Sequence, residues 1–249
     1  MSLLDTDLPF RRLAAVMACC AVLVCAPVNA QETVADEQAV VNPDPLESIN
    51  RKIFVFNDTL DMYLVKPVAQ GYQDLAPDMV EDGVTNVFDN LWGLNRILNN
   101  ALQGEFANAG KETGRFLLNT TVGLFGTIDV ATKLGMDIYR TDFGLTLAKW
   151  GFSSGAYIVI PLLGPSSVRD GVGVVGSWTV DPVGNLNHVP TRNELIVARG
   201  ISDRANLLET EKLITGDKYL FIRDAYLQRR QFLVTGETPK DDFGDEDFE

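Results

Sequence analysis

Residues 150–168 read Trp150-Gly151-Phe152-Ser153-Ser154-Gly155-Ala156-Tyr157-Ile158-Val159-Ile160-Pro161-Leu162-Leu163-Gly164-Pro165-Ser166-Ser167-Val168. These nineteen residues carry no charge, which is length enough for a helix to cross a bilayer. Gly151, Gly155, Pro161, Gly164 and Pro165 interrupt the run, and it holds four serines. Exposed to lipid, a segment so broken would leave backbone N–H and C=O groups unpaired in hydrocarbon, at several kcal/mol each. It must therefore be buried in protein or line a cavity. Its centre, Tyr157–Ile160, predicts a short strand. A second uncharged run, Phe116 to Ile128, is thirteen residues long and contains Gly123 and Gly126.

Around these stretches the pattern is helical. Asp44-Pro45-Leu46-Glu47 predicts a helix start, with Asp44 as N-cap, Pro45 first in the helix and Glu47 completing a capping box. The helix should run to about Leu60 with Leu46, Ile49, Ile53 and Phe56 on one face, and Lys66-Pro67 should break the pattern. Pro77-Asp78 opens another, with Val80, Val84, Val87, Leu91 and Leu94 as its apolar face, and Gly104 stops it. Residues 105–118 predict a third helix. Thr191-Arg192-Asn193-Glu194 reads as a second capping box, and the last helix spans about Asp217 to Val234 with Gly236 closing it. Each apolar stripe predicts packing against a neighbouring helix. Beyond the leader the pattern predicts no transmembrane helix, and it lacks the repeated ten-residue alternation of a membrane barrel.

Most of the formal charge of −13 lies at the ends. Residues 31–48 carry −5 and residues 236–249 carry −6, leaving the body near −2. That distribution excludes nucleic acid, which needs a basic stripe. The acidic ends should be solvated and flexible, residues 31–43 as a linker and 236–249 as a tail. Residues 1–30 have the parts of a secretory leader: Arg11 and Arg12, the apolar stretch Leu13 to Ala26, and Val28-Asn29-Ala30 as cleavage site. Cleavage after Ala30 would remove Cys19, Cys20 and Cys25, the only cysteines, so the mature chain should begin at Gln31 without lipid. The alternative is a bacterial lipoprotein acylated on Cys19 or Cys25. Without mature cysteines, thiol catalysis and cysteine-bound metal are excluded.

Gly151-Phe152-Ser153-Ser154-Gly155 matches G-x-S-x-G, and Asp170 or Asp181 followed by His188 supplies triad partners in the right chain order. The elbow needs a strand before the serine and a helix after it. Here the helix-like Leu145–Trp150 comes first and the strand-like Tyr157–Pro161 second. A glycine-serine turn is the better reading. His188 is the single histidine, so no metal site is expected, and no phosphate-binding loop or dinucleotide fingerprint points to a cofactor.

Asp44-Pro45-Leu46-Glu47-Ser48-Ile49-Asn50-Arg51, followed by Phe54, Phe56 and Asn57, resembles the opening of MlaA/VacJ lipid-asymmetry proteins. More of that family's pattern follows in order: Lys66-Pro67-Val68-Ala69, Arg115-Phe116-Leu117-Leu118-Asn119-Thr120, Gly126-Thr127-Ile128-Asp129-Val130-Ala131, Asp142-Phe143-Gly144 and Trp150-Gly151. Pro161-Leu162-Leu163-Gly164-Pro165-Ser166, Arg169-Asp170, Asp181-Pro182, Arg204-Ala205 and Tyr226-Leu227-Gln228-Arg229-Arg230 complete it. The likeness covers residues 44–234, with Ala156 standing where many members have proline.

The resemblance implies an all-α fold, residues 44–235 forming a ring-like assembly of amphipathic helices that encloses an amphipathic channel, with a short hairpin or irregular segment. It implies an exported protein on the periplasmic side of the outer membrane, held by trimeric porins. Phospholipid mislocalised to the outer leaflet would enter the channel and pass to a periplasmic carrier, then to an inner-membrane transporter, in the retrograde direction and without catalysis. Two segments are the expected lining or gate: Phe54, Phe56 and Asn57 on the first helix, and Leu118, Val122, Gly123, Leu124, Phe125, Gly126 and Ile128 in the first uncharged run. The competing expectation is a periplasmic serine esterase using Ser153 and His188.

Overall fold

The computed structural model of the chain describes residues 43–236. The leader, residues 31–42 of the acidic linker and residues 237–249 of the acidic tail lie outside the described residues. Helix α1 (Glu47–Leu60) runs through a π-helical turn, Asp61–Val65, straight into α2 (Lys66–Leu75). The break predicted at Lys66-Pro67 does not occur. A proline inside a helix removes a donor and crowds the carbonyl four residues back. The widened π turn falls directly before Pro67 and resets that register, so the proline sits as it would at a helix start.

The start of α1 also differs from expectation. Leu46, not Asp44, is the N-cap. Asp44 is fully buried and accepts hydrogen bonds from Asn50 Nδ2 at 2.8 Å and from the Tyr219 hydroxyl. It ties the first helix to the distant Tyr219 instead of capping a helix.

Helices α3 (Asp78–Leu102) and α4 (Phe106–Thr121) form a hairpin whose turn carries Gly104 at φ +78°. A short α5 (Val130–Lys133) and α6 (Phe143–Lys149) precede strands β1 (Tyr157–Ile160) and β2 (Gly164–Ser167). The strands pair antiparallel, Tyr157 opposite Ser167 and Ile160 opposite Gly164, so the predicted strand at Tyr157–Ile160 is half of a hairpin. Helices α7 (Val168–Trp178), α8 (Val189–Asn206), α9 (Leu208–Glu211) and α10 (Lys218–Thr235) complete the described chain. Helix α8 begins earlier than the predicted Thr191 capping box: His188 is its N-cap, with Pro190 in the first turn.

Neighbour follows neighbour around a closed circuit. Helix α1 packs on β1, β2 on α7, α7 on α6, and α6 on α3; α3 packs on α8 and α8 on α2, which rejoins α1. Helix α10 crosses against α6 and β2. The helices make a ring.

What the ring buries is unusual. Among the described residues eighteen polar or charged side chains are buried against eleven apolar ones. In α3 the buried positions are Asn90, Gly93, Asn95, Arg96, Asn99 and Asn100. The predicted apolar face of that helix is only half-buried at Val84, Val87, Leu91 and Leu94, and Val80 is exposed. Helix α4 likewise buries Glu112, Arg115 and Asn119 while Leu117 is exposed. The inward-packing apolar stripes expected from periodicity are thus corrected: the fully buried faces are polar, and the apolar stripes are half-buried or exposed. Two apolar clusters remain inside, Ala69 with Ala205 and Leu208, and Tyr157 with Val159 and Tyr219. None of the described helices is long and apolar enough to cross a membrane.

Candidate functional site

The inward polar faces enclose a lumen made of three adjoining cavities. The first, about 260 Å³, lies between α6, α7, α8 and α10 and includes Trp92, Asp142, Arg199, Tyr226 and Arg230. The second, about 300 Å³, shares Trp92, Asp142, Tyr226 and Arg230 with it. The third, about 730 Å³, shares Arg140, Thr141, Leu145 and Leu233 with the second and reaches Lys149 and Phe232. Within the lumen the three share lining residues from one to the next. Arginines and aspartates alternate along it with Trp92, Trp178, Leu145 and Leu233, so the path is amphipathic.

The charged side chains are held by one another. Arg230 donates to Asp142 at 2.6 Å and to Asp170 at 2.8 Å. Asp170 also receives the Tyr226 hydroxyl at 2.6 Å and Arg169 Nε at 3.0 Å. Burial works to raise the Asp170 carboxyl, but the Tyr226 hydrogen bond and the charges of Arg230 and Arg169 outweigh it and hold the group below its usual range. Burial likewise works to lower Arg230, and Asp142 and Asp170 more than offset it. These groups therefore stay ionised at neutral pH. Such close placement needs small residues: a Cβ on Gly144 would stand 2.4 Å from Asp170 Oδ1 and 2.7 Å from the Arg230 guanidinium. A second lattice joins α3 to α4, where Arg96 donates to Glu112 at 2.8 Å, and Arg96 also donates to Asp89 at 2.9 Å.

A separate cavity of about 440 Å³ lies across β2 from the lumen, and Pro165 lines both. Phe54, Leu207, Ile214, Phe221 and Ile222 make it apolar. Its charged wall is self-compensated: Arg204 pairs with Asp61 at 2.7 Å and Glu211 at 2.5 Å, and Lys218 with Asp58 at 2.7 Å.

The residues nominated from sequence fall outside the main lumen cavities. Phe54 and Asn57 line the apolar cavity, and Phe54 packs edge-on against Tyr219 with ring centroids 5.4 Å apart. Asn57 pins the tip of the β hairpin, donating to the Ile160 carbonyl at 3.0 Å and accepting from the Leu162 N–H at 2.8 Å. Phe56 is exposed on the outer face of α1, and Leu118 is half-buried on α4. Val122, Leu124, Phe125 and Ile128 are exposed in the loop after α4, while Gly123 and Gly126 are buried beneath them. That loop is closely tied. Phe125 N–H donates to the Thr120 carbonyl and Gly126 N–H to that of Asn119, and Leu124 and Phe125 both hold positive φ.

Ser153 and His188 do not form a triad. The order is helix α6, loop, strand β1, the reverse of a nucleophile elbow. His188 Nδ1 caps α8, 2.8 Å from Thr191 Oγ1. Asp170 is bound to arginine and tyrosine, and Asp181 accepts from Arg199 at 2.9 and 3.0 Å.

Sequence reasoning passed over Trp92, Arg96, Arg140, Asp142, Arg199, Tyr226, Arg229 and Arg230, which line the lumen. A signal was present. Asp89, Trp92 and Arg96, and then Tyr226, Arg229, Arg230 and Leu233, recur at helical spacing and mark a polar face as regular as the apolar one.

A family model described as MlaA lipoprotein matches residues 42–233. The intermembrane phospholipid transport system lipoprotein MlaA of Escherichia coli is 35% identical over 199 residues, covering 78% of this chain and 79% of that protein. The protein of the same name from Haemophilus influenzae is 30% identical over 229 residues, 89% of each. An uncharacterized protein of Rickettsia prowazekii is 32% identical over 195 residues, 77% of this chain and 78% of that one. A solved chain described under "Structural basis for maintenance of bacterial outer membrane lipid asymmetry" superposes with a TM-score of 0.67 at 32% identity, covering 77% of this chain and 98% of that chain.

Proposed function

The chain belongs to the MlaA lipoprotein family, and from that premise we propose that it serves intermembrane phospholipid transport at the bacterial outer membrane. The observation that carries this reading is the inverted polarity of the ring. Large apolar side chains such as Leu75, Met79 and Phe125 are exposed, while Arg96, Glu112, Asp170 and Asp181 are buried and ion-paired beside the cavities. A ring of that kind rests in acyl chains by its outer face. It offers a polar route to a headgroup that could not otherwise pass. Phospholipid misplaced in the outer leaflet enters the lumen and leaves on the periplasmic side to a soluble carrier, in the retrograde direction, with a porin trimer holding the ring in place. No covalent step is required.

Phe54, Phe56, Asn57, Leu118, Val122, Gly123, Leu124, Phe125, Gly126 and Ile128 act in this reading where the path meets the membrane. The apolar cavity beside Phe54 and the exposed side chains of Val122, Leu124 and Phe125 support that role. The test is genetic and chemical together. A deletion strain should accumulate phospholipid in the outer leaflet, measured by surface labelling. The intact chain should reverse this, whereas Val174→Trp or Leu233→Trp, which fill the lumen, should not do so at equal abundance. An outer leaflet unchanged by the deletion would sink the reading.

The leader makes a separate prediction. The family is described as one of lipoproteins, yet Val28-Asn29-Ala30 favours cleavage that leaves Gln31 first and no cysteine behind. Intact-mass measurement should find Gln31 unmodified. A mass carrying acyl chains on Cys19 or Cys25 would show lipoprotein processing instead.

A further inference from the structure

The apolar cleft of about 440 Å³ beside the β hairpin has a wall whose charges are matched one for one. Three carboxylates stand in or over it, Asp58, Asp61 and Glu211. Asp58 is held by Lys218 at 2.7 Å and Asp61 by Arg204 at 2.7 Å. Glu211 takes Arg204 at 2.5 Å, Lys218 at 3.0 Å and Lys66 at 3.2 Å. Three acids against three bases leave the wall neutral. The Asn57 amide is used at both ends, on the Ile160 carbonyl and the Leu162 N–H. The rest of the wall is chiefly Phe54, Leu207, Ile214, Phe221 and Ile222. Leu207 and Phe221 are 54% and 41% exposed, so apolar side chains stand at the open side of the cleft.

A charged occupant would find every charge in this wall already answered, and burying it without a partner is costly. What the cleft offers is apolar area, in a volume within the range of roughly 300–1,000 Å³ typical of small-ligand sites. We propose that this cleft holds one acyl chain of a phospholipid, with the headgroup left outside, as a site beside the polar lumen and distinct from it. This deepens the lipid-path reading and rests on it. A free fatty acid suits the cleft less well. Its carboxylate is joined directly to the chain and would come to rest beside Arg204 and Lys218, whose charges are already paired. In a phospholipid glycerol sets the charge apart from the chains, so the headgroup stays in water while a chain is buried. Pro165 lines both this cleft and the first lumen cavity, so a lipid held here is one strand away from the lumen.

The full chain purified in detergent, given phosphatidylethanolamine with a diazirine at the end of one acyl chain, tests this by mass-spectrometric mapping of the crosslinks. They should fall on Phe54, Leu207, Ile214, Phe221 and Ile222. Excess unlabelled phosphatidylethanolamine should suppress them, and palmitate at the same concentration should not. Leu207→Asp with Phe221→Asp should reduce them about tenfold or more, since each carboxylate would have to be buried with the chain. Both positions stand at helix N-terminal ends, where aspartate is well tolerated, so the fold should be kept. Should that variant melt early, Ile214→Trp, which fills the cleft, makes the same test. Leu75→Asp with Met79→Asp, on apolar surface outside the cleft, should leave the crosslinks unchanged. An equal loss in that control would make them ordinary contact with surrounding lipid and overturn the inference. Undiminished crosslinks in the cleft variants would overturn it too, as would equal suppression by palmitate, which would make the site one for fatty acid. Crosslinks that appear only in a chain ending at Gly236 would identify the residues after it as the occupant and overturn it equally. Lipid crosslinked to Leu233 in the lumen and not to the cleft would overturn this inference alone, whereas no crosslink to either would sink the lipid-path reading with it.

Discussion

Arg96 is 5% exposed and Glu112 is 1% exposed, yet both carry charge inside the ring. Their 2.8 Å contact offsets a large desolvation cost, so removing one partner is far worse than removing both. Arg96→Met should lower stability by about 3–5 kcal/mol, because Glu112 is left buried and uncompensated. Arg96→Met with Glu112→Leu should recover much of that loss. Thermal unfolding of the detergent-solubilised chain reads both, and a double variant no better than the single one would contradict the argument. Glu211 makes a pH prediction. Burial works to raise its carboxyl, but hydrogen bonds from Arg204, Lys218 and Lys66 prevail and hold it at about 2 against an ordinary 4.5. A depressed carboxylate contributes fully above its unfolded value and loses that contribution as pH falls through its folded one. Stability should therefore fall between about pH 4.5 and about pH 2, and Glu211→Gln should flatten the fall in that window. Parallel titration curves for the two proteins would refute this. None of these pairs was legible in the sequence, since Arg96 and Glu112 stand on different helices and Arg204 and Asp61 are 143 residues apart.

At the scale of elements, α6 and α7 meet through glycines, backbone to backbone at Gly144 and Gly173. A Cβ on Gly173 would lie 2.4 Å from the Gly144 backbone nitrogen, and a Cβ on Gly176 would lie 3.1 Å from the Phe143 ring. Gly171, two residues earlier on the same helix, has nothing nearer than 3.6 Å. Gly173→Ala should therefore part the two helices and displace Asp142 and Asp170 from Arg230, with a clear fall in melting temperature. Gly171→Ala should be neutral or stabilising by up to about 1 kcal/mol, since alanine suits a helix interior better. Equal melting temperatures for the two variants would show that the close approach is not required. The sequence announced most elements correctly. Gly104 ended α3, Asp217 and Gly236 bounded α10, and Tyr157–Ile160 formed a strand. It misplaced Pro67 because the π turn before it, flanked by the Asp61–Arg204 and Lys66–Glu211 ion pairs, is displayed by no local pattern. It misjudged Asp44 for a related reason: a carboxylate that suits an N-cap also suits burial against Asn50 and Tyr219, and only the fold decides between them.

Amphipathic periodicity states that a helix has two faces; it does not state which solvent the outer face meets. In α3 the pattern Val80, Val84, Val87, Leu91 is compatible with a core stripe in water or a lipid-facing stripe in a membrane. In the fold it is the polar side that is buried, at Asn95, Arg96, Asn99 and Asn100, while Val84, Val87 and Leu91 are half-buried and Val80 is exposed; under the proposed function the second reading applies. This is why the architecture followed from the family pattern and the lumen residues did not. The same inversion gives the whole molecule a testable dependence on its outer surface. Leu75, Met79 and Phe125 are 86%, 85% and 82% exposed, so within the chain they support almost nothing. In water such side chains would be a liability, whereas in acyl chains each buries apolar area worth about 25 cal/mol per Å². Replacing all three with glutamate should leave the melting temperature in detergent nearly unchanged, since no internal contact is lost. The same replacement should sharply reduce recovery of the chain beginning at Gln31 with floated phospholipid vesicles, because each charge must be kept out of the hydrocarbon. If the variant floats as well as the parent, the apolar exterior is not what meets the membrane. If instead it melts much earlier, these residues pack within the protein, and the inverted ring would need a different explanation.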